Sequence, residues 1–330
     1  MSTNELQQQI FLFIKERLPP HLSLADELQE LLHISADSVY RRIRGEKPVS
    51  LPELKLICEY FHLSLDEMLQ LKNESVLFQA PGLNGNQQNF KEYLEQMLAQ
   101  FHYFNSFSNR KMFYLCKDLP FWYFYLFPGV AAFKSFLWKR TIHNEPDLQT
   151  KKFSFEEFSY PEYFAIGQQV IELYNMIPSV ELYNYESINS TINQVTYYRE
   201  AGLFANRKEE SLVIDSFHDL LDHLEQQAIR GAKFSPGGSD ITNKGSLEFY
   251  VNELILGNNT ILLQLNEQRL SLITYSVLSY LMTPDKRFAE KAFSSFGSLL
   301  SKSTLISGSG EKDRHRFFNG LHSRVEALRR

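Results

Sequence analysis

The chain has 330 residues, a formal net charge of −5, 43% hydrophobic and 22% charged residues, and an unusual 27 Phe and 17 Tyr. That length holds two or three domains with a sizeable core, and the balance excludes a disordered chain in favour of a soluble globular one. The two cysteines, Cys58 and Cys116, lie far apart. They exclude a disulfide framework and a CxxC metal pair, and they point to a reducing, cytoplasmic setting.

The opening MSTNELQQQIFLFIKERLPP is polar, then amphipathic. It lacks the basic start and small-residue cleavage site of a signal peptide. Leu6, Ile10, Phe13 and Ile14 share a face, which predicts a helix over about 4–18 that ends at Pro19-Pro20. Leu24, Leu28, Leu31 and Leu32 predict a second over about 23–32. Ser35 as N-cap, Val39 and Ile43 inward and Gly45 after the end predict a third over about 35–44. Leu54, Ile57, Cys58 and Phe61 predict a fourth over about 51–61, with Pro52 in its first turn. Ser23 with Asp26, Ser50 with Glu53 and Ser64 with Glu67 read as capping boxes. Only His33-Ile34-Ser35 separates the second and third helices, a helix-turn-helix connection.

From Ser23 to Leu69 this pattern resembles the DNA-binding domain of lambda-repressor- and Cro-like (XRE) proteins. The residues that carry the resemblance are Ser35, Val39, Arg41, Gly45 and Lys47, then Ser50-Leu51, then SLDEML at 64–69. Two positions depart from the family. Gln29 stands, by count from the turn, where a small alanine is usual, and His33 stands in place of the turn glycine. The resemblance implies a recognition helix over about 35–44 lying in the major groove of double-stranded DNA. Its candidate contact residues are Ser35, Ala36, Asp37, Tyr40, Arg41, Arg44 and Lys47. Tyr40 and Arg41 are expected at base edges and Arg44 and Lys47 at phosphates. Arg42 lies nearer the buried side and is expected to pair with an acid of the protein. Residues 1–72 are acidic overall, and their positive charge is concentrated at this corner.

Residues 73–89 read as a linker to a C-terminal region over 90–330, with a further break near 235–240. The run 119–138 is interrupted by Pro120, Pro128 and Gly129 and stopped by Lys134. It is a buried element rather than a membrane span, which needs about 20 apolar residues. Its aromatic cluster, Phe121 to Phe127, reads as core. Helical patterns occupy about 90–107, 128–142, 160–176, 186–201, 208–230, 285–302 and 311–328. LEFYVNELIL, TILLQL and RLSLITY read as three strands joined by two short turns. The expected class is an all-α helix-turn-helix bundle followed by an α+β region, mainly helical with a small antiparallel sheet.

Chemistry in the C-terminal region is sparse. His218 and Asp222, one helical turn apart, are candidate metal ligands, and Asp219 with His223 repeats the spacing. Neither pair has a third ligand in view, and metal sites usually need three, so a solvated helix face is the reading. No P-loop or GxSxG elbow is present, and no cofactor is expected. The RVEALRR end reads as a charged helix terminus. The leading reading is a bacterial-type transcriptional regulator and no enzyme. Its C-terminal region would form a homodimer and sense a small-molecule or protein effector. An interaction scaffold with a helical docking domain, and a DNA-tethered enzyme, are the alternatives.

Overall fold

Apolar stripes at helical spacing build the first of the two units into which the chain divides, Met1–Leu77 and Phe78–Arg330. The computed structural model describes residues 3–15, 18, 22–61, 63, 65, 76–80, 89–238, 244–254 and 257–330. In the first unit these hold helices α1 (Thr3–Lys15), α2 (Leu24–Leu32), α3 (Ala36–Ile43) and α4 (Leu51–Tyr60). Ile10, Phe11 and Ile14 meet Leu24, Ala25, Leu28, Val39 and Ile57 in one core. Each large apolar side chain buried contributes roughly 1.5–3 kcal/mol.

Ser50 opens α4 with a complete capping box. It accepts from the Glu53 amide at 3.4 Å, and Glu53 accepts from the Ser50 amide at 2.8 Å. The box expected at Ser23 and Asp26 is not formed: Ser23 has the extended N-cap backbone, but its hydroxyl makes no capping bond. Asp26 and Glu27 still place negative charge at the start of α2, where the helix dipole favours it. The Ser64–Glu67 box, Pro19-Pro20 and, apart from Leu65, the SLDEML stretch lie outside the described residues.

In the second unit the expected helices form as α5 (Phe90–Asn105), α6 (Pro128–Thr141), α7 (Pro161–Tyr174), α8 (Asn189–Glu200), α9 (Arg207–Arg230), α10 (Lys286–Leu300) and α11 (Glu311–Glu326). The sheet is larger than expected. Seven strands, β1 (Arg110–Leu115), β2 (Ser179–Tyr183), β3 (Leu247–Val251), β4 (Thr260–Leu265), β5 (Gln268–Thr274), β6 (Tyr280–Thr283) and β7 (Thr304–Leu305), run in the order β6-β5-β4-β1-β2-β3-β7. The sheet is mixed: β1, β2 and β3 are parallel, and the other pairs are antiparallel.

The expected three-strand meander is therefore half right. β4 and β5 form a hairpin around Asn266-Glu267, with Asn266 left-handed at φ 53°. β3 does not join them; it lies beside β2, with β1 and β2 between it and β4. Parallel neighbours need long crossovers, and the helices between β1, β2 and β3 supply them.

Alternation along the strands sorts side chains between two cores. Met112 and Tyr114 of β1 and Ile261, Leu263 and Leu265 of β4 face the large core. Leu115, Val180, Leu182 and Leu262 face the smaller one, closed by Phe296 of α10. The aromatic cluster is core, as expected: Phe121–Leu126 is a buried 3-10 turn, with Phe121 stacked on Trp138 at 4.6 Å. No helix among the described residues is long and apolar enough to cross a membrane. Within residues 73–89, Gln79 bridges Met282 on the edge strand β6, and Phe78 packs edge-on against Phe288 at 5.2 Å.

Candidate nucleic-acid interface

The turn before α3 and the glycine after it set the helix in place. His33 takes the left-handed conformation that the turn demands, at φ 51°. Ser35 then caps α3, its hydroxyl accepting from the Ser38 amide at 3.4 Å. At the other end Gly45, at φ 76°, closes a Schellman motif. Its amide donates to the Arg42 carbonyl at 2.9 Å, and the Glu46 amide donates to the Arg41 carbonyl at 2.8 Å. Any side chain at 45 would be strained by this φ and would also press on Asn4 of α1.

Between these stops the helix divides cleanly. Val39 and Arg42 are buried. Ser35, Ala36, Asp37, Tyr40, Arg41, Arg44 and Lys47 are all exposed. Asp37, Tyr40, Arg41 and Arg44 recur at helical spacing and share one outward face. Arg42 pairs inward as expected. Its Nη2 lies 2.6 Å from Glu53 Oε1, and its Nη1 donates to the Ser38 carbonyl at 3.2 Å. Gln29 does not occupy the helix crossing. It is exposed, and the small buried residue of α2 is Ala25, one turn earlier.

Two glutamines of α1 hold the end of α3, which the sequence reading missed. Gln7 Nε2 donates to the Arg42 and Lys47 carbonyls at 2.7 and 2.8 Å, and its Oε1 accepts from the Val49 amide at 2.9 Å. Gln8 Nε2 donates to the Arg44 carbonyl at 2.7 Å. The last carbonyls of a helix lack intrahelical partners. Here α1 supplies them, and it fixes the loop that carries Lys47 at the same time. A second acid was also missed. Glu46 takes both Nε and Nη2 of Arg44, at 2.6 and 3.1 Å. That pairing holds the Glu46 carboxyl below its usual range.

In the second unit the candidate ligands His218 and Asp222 are brought together by a residue of another helix. His218 Nδ1 lies 2.7 Å from His322 Nδ1 of α11, and His322 Nε2 lies 3.1 Å from Asp222 Oδ1. Glu326 sits 3.2 Å from His218 Nε2. The result is a chain of pairwise contacts; among the described residues no group of three or more such side chains is placed to hold a metal ion. Burial and His322 push the His218 pKa down. Asp219 and His223 separate: His223 is buried against the Phe234 carbonyl at 2.8 Å. The C-terminal arginines fasten the chain end, Arg324 to Tyr185 and Asn189, and Arg329 to Asp215 and Ser211.

A buried polar centre lies under β2. Glu181, wholly buried, accepts from the hydroxyls of Tyr123, Tyr174, Tyr183 and Ser179. Lys233, also wholly buried, has its ammonium 3.5 Å from the centre of the Tyr174 ring and no hydrogen-bond partner among the described residues. Burial pushes its pKa from the ordinary 10.5 down to about 7, against the pull of Glu181. An unfolded lysine keeps its proton up to its ordinary value, whereas the folded one sheds it near 7. The unfolded state therefore binds more protons between these limits, and stability rises with pH across that window. Lys233→Met is expected to raise the urea midpoint at pH 7 and to flatten the rise from pH 7 to 9. A lower midpoint in the variant would contradict this.

Residues 13–97 match a family model described as the BetR domain. The match runs from within α1, through the helix-turn-helix and α4, to Met97 in α5. No curated protein and no solved structure matches the chain. Over this N-terminal helical region the chain is similar to BetR domains.

Proposed function

We propose that the chain is a sequence-specific DNA-binding transcriptional regulator whose helix α3 enters the major groove. The observation that carries this reading is the outward face of α3. Tyr40, Arg41 and Arg44 are exposed together at the end of a helix-turn-helix, while Arg42 is turned inward. The similarity to BetR domains supports a regulatory role for the same residues. In this reading Tyr40 and Arg41 reach base edges, and Arg44 and Lys47 hold phosphates.

One such unit makes few phosphate contacts. Useful affinity follows from two copies on half-sites one helical turn apart, about 34 Å. The Phe78–Arg330 unit would supply the pairing. An effector bound there acts only through different affinities for the two arrangements of the dimer.

The test uses full-length protein and a fluorescent duplex of mixed sequence, followed by anisotropy across a salt series. Wild type is expected to bind, and to weaken steeply with salt. The Arg41→Ala, Arg44→Ala variant, with unchanged circular dichroism, is expected to lose about tenfold or more at low salt. Equal binding by the variant, or indifference to salt, would turn the reading toward a helical domain that docks protein.

A further inference from the structure

Glu46 is delivered to one place by the end of α3. Its backbone is held by the Schellman bond to the Arg41 carbonyl, and the left-handed Gly45 before it fixes the direction of the chain. From there its carboxylate meets the Arg44 guanidinium fork to fork, with Arg41 Nε 3.9 Å from the same group. Arg42 makes no use of this acid, because it has Glu53. The two outward arginines of the recognition face therefore share one carboxylate.

This contact has little to do for the fold. The Arg44 and Glu46 side chains are 55% and 48% exposed. Exposed ion pairs typically contribute about 0.2–1 kcal/mol to stability. Its geometry has a different consequence. A carboxylate and a phosphodiester offer a guanidinium the same arrangement, two acceptor oxygens matched to a two-pronged donor. Glu46 occupies the position on Arg44 that a backbone phosphate would take.

We propose that Glu46 is an intramolecular competitor that DNA phosphate must displace from Arg44, a residue that lowers the sequence-independent affinity of the face. The inference rests on the DNA-binding reading above. Phosphate contacts supply the sequence-independent part of affinity, while base contacts supply discrimination. Opposing one phosphate contact lowers binding to every sequence alike and leaves Tyr40 and Arg41 at the base edges. Random DNA then retains less of the protein. When Arg44 moves to phosphate, the released Glu46 faces a negative backbone and takes up a cation. The salt dependence of wild type is accordingly shallower than its basic residues alone would give.

The experiment compares full-length wild type, Glu46→Gln, Arg44→Ala and the Glu46→Gln, Arg44→Ala double variant on a mixed-sequence duplex. Glutamine keeps the size of the side chain, and thermal melts check the fold. Glu46→Gln is expected to bind about threefold or more tightly at low salt, with a steeper salt slope. The gain is expected to vanish when Arg44 is absent, so that the double variant matches Arg44→Ala. Equal or weaker binding by Glu46→Gln, on a wild type that does bind, overturns the inference and leaves the DNA reading standing. A gain that persists without Arg44 also overturns it, because net charge alone would then be the cause. Folded wild type and Glu46→Gln that both fail to bind at low salt overturn the DNA reading itself.

Discussion

Glu181→Ala is expected to destabilise the Phe78–Arg330 unit by about 3–5 kcal/mol, the range for stranding the partners of a buried charge. Glu181 stands on β2, with β1 and β3 on either side. Tyr123 reaches it at 3.0 and 3.1 Å, Tyr183 at 2.5 Å and Ser179 at 2.9 Å, with Tyr174 as a fourth donor. Each buried hydroxyl left without an acceptor costs about 1–3 kcal/mol. The hydroxyls rotate and re-pair among themselves in part, so the total falls short of the sum. Lys233 would also lose a carboxylate whose charge favours its ammonium. Glu181→Gln keeps the shape and one acceptor oxygen, and should cost about half as much or less. Trp122 and Trp138, the chain's two tryptophans, both lie in this unit's core, so tryptophan fluorescence during urea unfolding reports on it. A change under about 1 kcal/mol for the alanine variant, the size of an ordinary surface effect, would contradict the account.

Glu53→Ala is the second large effect, expected in the other unit. Glu53 performs two tasks at once. It accepts from the Ser50 amide at the start of α4, and it neutralises the buried Arg42 of α3. Removing it strands a guanidinium that is 6% exposed. Glu53 itself is 21% exposed, so water reaches the site. The expected loss is about 2–3 kcal/mol, below the range for a fully buried pair. The Arg42→Met, Glu53→Ala double variant should recover part of it, because no charge is then stranded. The readout is a helical circular-dichroism transition that moves while tryptophan fluorescence does not, since Met1–Leu77 contains no tryptophan. A double variant no better than Glu53→Ala alone would remove the buried charge as the cause. DNA binding should fall with the same midpoint, although Glu53 lies off the outward face of α3.

The local features of the candidate interface were legible in the sequence. A cap, an apolar stripe and a glycine stop bound α3 within a residue at each end, and the inward place of Arg42 followed from helical spacing. The Gln7 clamp was not legible, because its partners lie 35 to 42 residues away and no short-range pattern announces them. Gln29 was misplaced for a related reason. Counting from the turn put it at the helix crossing, whereas it is exposed and Ala25 is buried one turn earlier.

In the second unit long amphipathic helices were read well, and central strands were not. All five residues of β2 are buried, so the alternation that betrays a half-exposed strand is absent. Glu181 within SVELY then looks like a solvent-facing position, although the large core lies on its side of the sheet. β3 was seen as a strand but given the wrong neighbour. Sequence adjacency favours a hairpin, whereas the crossovers between β1, β2 and β3 place it at β2. Glu46 shows the opposite limit. Its closeness to Arg44 in sequence is plain, but its alignment depends on the left-handed Gly45.

The measurement that tests the central claim most directly is selection of bound sequences from a random duplex pool. It uses full-length protein beside the Arg41→Ala, Arg44→Ala variant. The account predicts an enriched motif with two-fold symmetry for wild type, absent from the variant. No enrichment by folded wild type at low salt would contradict it.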